Sequence, residues 1–147
     1  MRRFSLIAAL LLTLALLAAP AWADKVNVDG GAAVRGTDVV AYFTQGKAVA
    51  GSPQFSHRWN GADWHFSSAA NRDAFAADPA KYAPQYGGFC AWAVSNNYTA
   101  PIDPDAWHIV YDKLYLNYSL VVQLRWRLDT SGNIAKADAN WPTLGKQ

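Results

Sequence analysis

The chain has 147 residues, with 13 Lys+Arg against 11 Asp+Glu, a single Cys and seven Trp. That length suits one domain with its own core, and one Cys excludes an internal disulfide, so stability must come from packing of the many aromatic side chains. The slight positive excess gives no electrostatic case for binding nucleic acid.

Residues 1–23 read as a secretory signal peptide. Arg2 and Arg3 precede an apolar run from Leu6 through Ala19, and Ala21-Trp22-Ala23 places the cut after Ala23. The run is short for a membrane span, which needs about 20 residues. Its Leu-rich character favours the general secretory route over the twin-arginine one that Arg2-Arg3 invites. A periplasmic product is expected. Removing the segment takes away only Arg2 and Arg3, which leaves positive and negative charges balanced and predicts no membrane contact after cleavage.

Residues 24–37 are polar and contain glycine, and are expected to form a flexible lead-in to a domain spanning 38–147. Val39 to Phe43 is a short apolar stretch that suits a strand or a helical turn equally. Gln45 to Pro53 is a loop. Phe55 to Phe66 is a β-hairpin turning at Asn60-Gly61, a strong two-residue turn signal. Side-chain alternation then puts Phe55, His57, Trp59, Ala62, Trp64 and Phe66 on a core face, with Phe55 opposite Phe66. Ser56, Arg58, Asp63 and His65 form a wet face on which Arg58 and Asp63 can pair.

Ser67-Ser68 predicts the cap of a helix that runs to about Ala77 and ends at Asp78-Pro79. Gly87-Gly88 marks a bend or a close approach, followed by a buried segment from Phe89 to Val94. Residues 96–104 are a loop. Trp107 to Tyr118 reads as a second hairpin turning near Tyr111-Asp112, with Trp107, Ile109, Leu114, Leu116 and Tyr118 on one face. His108, Lys113, Tyr115 and Asn117 fall on the other. Ser119 caps a helix with Leu120, Val121, Leu124 and Leu128 at helical spacing. Ser131-Gly132-Asn133 breaks it, and a short helix follows from Ile134 to Asn140, ended by Trp141-Pro142. Strands mixed with helices, without βαβ alternation, give a small single-domain α+β fold with two antiparallel hairpins, a central short helix and C-terminal helices.

The chain holds no phosphate loop, GxSxG elbow, CxxC, or His pair at i and i+4. Candidate chemistry rests on three histidines, Cys90 and a few carboxylates. His57 is the polar member of an apolar face, so it is either a neutral core histidine bonded to backbone or a ligand or proton carrier in a pocket. His65 and His108 read as surface residues, which could meet if the two hairpins pair. Cys90 follows Gly87-Gly88, whose missing side chains leave room for a partner near the thiol. It is either buried and inert, or reactive, or a metal ligand. Asp38, Asp103 and Asp105 are further carboxylates, the last two better read as turn residues around Pro104.

Gly36-Thr37-Asp38-Val39-Val40-Ala41-Tyr42-Phe43 resembles the GxDPVAYF opening of exported YHS-domain proteins. Tyr82-Ala83-Pro84-Gln85-Tyr86-Gly87-Gly88-Phe89-Cys90-Ala91 is similar to their YxPxYGGYCA signature. Trp59-Asn60-Gly61 through Tyr82, Lys113 to Tyr118 and Ala137 to Pro142 resemble further blocks. Short relatives are implicated in metal handling, notably of copper, through a CxxxC pair. The matching positions here are Ser67 and Asn71, poor soft-metal ligands, so the resemblance does not carry that site over. Val39 also stands where many relatives have Pro.

Some longer relatives are described as selenoproteins with selenocysteine at the position of Cys90, which implies thiol chemistry there. The expected site therefore centres on Cys90 as the reactive or catalytic group. His57, Tyr86, Gly87, Gly88, Phe89 and Trp92 are expected around it, and Cys90 with His57 is a candidate pair for a copper-like ion. The expected function is a periplasmic accessory module with a thiol-centred redox or soft-metal site. The alternative is a small-ligand or protein-interaction domain in which Cys90 is inert. Whether the protein is an enzyme stays open. The partner is a small molecule, a metal ion or a periplasmic protein.

Overall fold

The computed structural model describes residues 24–147; the signal-peptide reading of residues 1–23 lies outside the described residues. The fold is mixed helix and strand, as expected. Three antiparallel hairpins are present: β1 (Val28–Asp29) with β2 (Ala32–Ala33), β3 (Ser52–Trp59) with β4 (Ala62–Phe66), and β5 (Asp103–Val110) with β6 (Lys113–Asn117). They do not join into one sheet. The helices are α1 (Val39–Thr44), α2 (Ala69–Ala77), α3 (Pro79–Tyr82), α4 (Ala91–Ser95), α5 (Leu120–Arg127) and α6 (Thr130–Leu144).

The β3–β4 hairpin turns at Asn60 and Gly61, both with positive φ (51° and 75°), which the Asn-Gly pair tolerates at little cost. Trp59 pairs with Ala62, and His57 with Trp64. Beyond Ser56 the register slips, so Phe66 lies opposite Ser52 instead of the expected Phe55. Such an irregularity sharpens strand twist. Trp64 and Phe66 are buried and stack around Phe75 of α2 at ring separations of 5.2 and 5.0 Å. Burial of each such ring contributes about 1.5–3 kcal/mol. Arg58 and Asp63 pair at 3.1 Å on the exposed face, as alternation predicts.

Several expectations are corrected. Residues 24–37 are not a loose lead-in: Ala32, Ala33 and Val34 are fully buried, and backbone bonds from Lys25 to Gly145 and from Asn27 to Gly87 tie the segment to the body. Among their apolar side chains Val28 stays exposed, but these three are enclosed. The second hairpin is buried on both faces. Leu114 and Leu116 join the cluster around Trp64, while Tyr115 joins a second cluster with Tyr86, Trp126 and Ala137. The break between the last two helices falls at Asp129, whose side chain accepts from the Gly132 N–H. Ser131-Gly132-Asn133 therefore opens α6 instead of ending α5, and α6 continues through Pro142 to Leu144.

Asp38, fully buried, joins three elements. Its Oδ1 accepts from the backbone of Val40 (3.0 Å) and Ala41 (3.2 Å), capping α1. Its Oδ2 accepts from the Ser67 N–H (2.9 Å), the Ser67 hydroxyl (2.7 Å) and Asn71 Nδ2 (2.8 Å). No cation is among these partners, so neutral donors alone offset the cost of burying the carboxylate. Asp38→Ala should destabilise the fold by about 3 kcal/mol or more, and Ser67→Ala by about 1 kcal/mol. Urea unfolding followed by near-ultraviolet circular dichroism checks both, and equal small losses would contradict the account.

Candidate functional site

Cys90 lies just before α4, with 1% of its surface exposed. The paired glycines before it do leave room, but the chain fills that room itself. A Cβ on Gly87 would stand 2.1 Å from the carbonyl oxygen of Lys25, and one on Gly88 would stand 2.3 Å from Val34 Cγ1. Both glycines also have positive φ, 62° and 79°. They are the seat of residues 25–34, and no ligand space beside the thiol remains on that side.

The thiol is enclosed by the end of β6. Its Sγ accepts from the Tyr118 N–H at 3.2 Å and lies 3.6 Å from Asn117 Oδ1, which also accepts from the Trp92 N–H. Burial pushes the Cys90 thiol above its ordinary range; the surrounding backbone N–H groups pull the other way but are outweighed. A cavity of about 280 Å³ is lined by Cys90 itself together with Trp92, Tyr98, Ala100, Tyr118, Val122 and Arg125. No histidine or carboxylate is among its bonding partners or in that lining. His57 instead stacks edge-on against Phe75, at 6.1 Å, as a half-buried wall of the hairpin core. The expected Cys90–His57 pair is thus not assembled. His65 and His108 do not meet either: His65 lies against Gly36, and His108 against the Trp126 ring.

Among the described residues no group of three His, Cys, Asp or Glu side chains is placed to hold a metal ion. The positions that match the cysteine pair of metal-handling relatives are committed elsewhere, since Ser67 and Asn71 both donate to Asp38. Hydroxyl and amide donors turned towards a carboxylate do not suit a soft ion.

The other signature residues converge on a different place. Tyr86 is held at φ 59°, and its hydroxyl donates to Asp138 Oδ1 at 2.8 Å. Burial and that bond raise the phenol well above its ordinary range. Phe89 stacks on Trp141 at 6.2 Å with the Lys25 ammonium over its ring, and Trp92 packs between the two hydrophobic clusters. Beneath the Tyr86-Gly87 turn is a cavity of about 460 Å³, walled by Trp59, Trp64, Tyr86 and Trp141, with Lys113 and Asp138 at its polar edge. That volume falls within the range of small-molecule sites. Asp24 also lines it, ion-paired to Lys146 at 2.6 Å. Lys113, Asp138 and Trp141 come from β6 and α6; no local sequence signal joins them to Trp59, although the later blocks that resemble the exported family contain all three.

The thiol geometry has a direct consequence. In the native chain Cys90 should react with iodoacetamide on the order of a hundredfold more slowly than in urea, because labelling requires local opening. Mass spectrometry of timed samples reads the rate, and native labelling as fast as free cysteine would refute the enclosed-thiol description. A thiol whose folded pKa is raised favours folding below its unfolded value, so its contribution should fade as pH climbs above 9.0.

No curated protein matches the chain, and no solved structure does. The family model of the YHS domain matches residues 40–86, a stretch that runs from α1 to the Tyr86 turn. YHS domains are loosely linked to metal handling. The segment 40–86 of this chain, which supplies Trp59, Trp64 and Tyr86 to the aromatic cavity, is a YHS domain.

Proposed function

We propose that this protein is an exported binding module whose YHS domain and C-terminal helix together hold a small, planar, anionic organic molecule. The observation that carries this reading is the aromatic cavity under Tyr86, with an uncommitted ammonium at its edge. Trp59 and Trp141 are half-buried, so each offers a ring to a ligand while its other face is packed. Flat apolar bodies gain from such walls both by burial and by stacking.

The ligand's charge is read from Lys113 at the polar edge. Asp138 already accepts the Tyr86 hydroxyl, and Asp24 is taken by Lys146. The Lys113 ammonium has neither a hydrogen bond nor an ion pair among the described residues. A carboxylate on the ligand would meet this ammonium, although exposure limits the gain to about 1 kcal/mol. The thiol-centred alternatives, redox or copper-like, draw support from the resemblance but find no exposed sulfur and no second ligand beside Cys90. Export rests on the reading of residues 1–23.

Isothermal titration calorimetry with indole, indole acetate and tryptamine tests the proposal. Indole acetate should bind most tightly and tryptamine least. Trp141→Ala should weaken indole acetate roughly tenfold or more, and Lys113→Gln should bring it level with indole. No heat from any of the three, or binding unchanged in Trp141→Ala, would overturn the reading.

A further inference from the structure

Helix α5 is turned inside out relative to its sequence pattern. Its apolar residues at helical spacing, Leu120, Val121, Leu124 and Leu128, face outward and are 55, 66, 62 and 86% exposed. The buried positions are Gln123 and Trp126. At about 100° per residue, Leu120, Leu124, Leu128 and Val121 fall side by side in one strip. Arg127 lies on one edge of that strip and Arg125 on the other, both exposed. Two half-exposed tyrosines, Tyr118 and Tyr98, sit beside Arg125 around the small cavity next to Cys90. A contiguous apolar strip of this kind is unlike the single exposed residues that any surface carries.

From this strip we infer that α5 is an interfacial anchor that lies on an anionic lipid surface. Charge complementarity carries the choice of occupant. The helix, Leu-Val-Val-Gln-Leu-Arg-Trp-Arg, has no Asp or Glu, and its two cations bracket the apolar strip. Arginine stems can lie along acyl chains while their heads reach phosphates on both sides, and tyrosines favour the same boundary. The nearest carboxylate in sequence, Asp129, is engaged in capping α6.

A second copy fits poorly, because pairing two α5 strips would bring four arginines to one seam with no carboxylate between them. Leu120, Val121 and Leu124 form an open surface, whereas Leu128 and Arg127 at the C-terminal end of the strip line a cavity of about 700 Å³ with Tyr111, Tyr115 and Ile134. The balanced overall charge predicts no membrane contact, whereas the local charge on α5 favours one.

The test uses the full chain carrying Leu124→Cys, labelled with a polarity-sensitive nitrobenzoxadiazole dye, which enclosed Cys90 should not take up. A second chain with Ala76→Cys reports the exposed face of α2. Vesicles of phosphatidylcholine alone are compared with vesicles in which about a quarter of the lipid is phosphatidylglycerol. The dye at 124 should brighten and shift to the blue on anionic vesicles, while the dye at 76 should not. Adding Arg125→Gln with Arg127→Gln should weaken that response roughly tenfold or more.

Equal shifts at both positions, or none at 124, would overturn the inference. So would a shift without vesicles that grows with protein concentration, which marks self-association. A response to polyglutamate but not to anionic vesicles would assign the strip to an acidic protein and equally sink the lipid reading.

Discussion

A single buried carboxylate organises the N-terminal half of this protein. Asp38 caps α1, fixes the end of β4 through Ser67 and holds the first turn of α2 through Asn71. A charge in that position is tolerable only because five neutral donors surround it, and each donor is in turn satisfied by nothing else as strong. The three elements must therefore assemble together. The same geometry explains why Ser67 and Asn71 are the residues at this point: a pair of thiols there would confront the carboxylate with poor donors. Hydrogen bonding to Asp38 is the use that these two positions serve here.

The paired glycines show a similar reassignment. Gly87-Gly88 invites a ligand in sequence because two missing side chains leave space. That space is occupied by Lys25 and Val34, and Asn27 adds a bond from Nδ2 to the Gly88 carbonyl at 3.1 Å. Tyr86, next to these glycines, has the left-handed conformation, and its ring meets Tyr115, Trp141 and Asp138. The signature therefore builds a wall of the aromatic cavity while enclosing the sulfur.

What could be read from sequence follows the range of the forces involved. The Asn60-Gly61 turn, the Ser68 cap and the His57–Trp64 pairing depend on neighbours in the chain, and all are found. The slip near Phe55 was not legible, because a bulge depends on what the strand end packs against. Tyr115 and Asn117 looked wet by alternation, yet they meet Trp126 and Trp92 from elements distant in sequence. The site was less legible still. Cys90 carried the most distinctive local motif and proved to be enclosed, whereas Lys113 and Trp141 carried no local chemical signal. Their placement across from Trp59 exists only once β6 and α6 have packed.

The second hairpin links these observations to the outer surface. Because both of its faces are covered, the helix laid over it must present groups that match a strand edge and an aromatic face. Gln123 does so by donating its amide to the Trp107 carbonyl, and Trp126 by stacking on Tyr115 at 5.2 Å. A helix that spends a polar and an indole side chain on its inner face has no inward positions left for leucine. Leu120, Leu124 and Leu128 are thus excluded from the core by the chemistry of what α5 covers. Three large aliphatic side chains on the outer face of a helix gain nothing from water, and Ala or Lys would favour that helix as well or better. Folding accounts for the inner face of α5 but not for the outer one, and that difference is the physical reason for seeking a partner there.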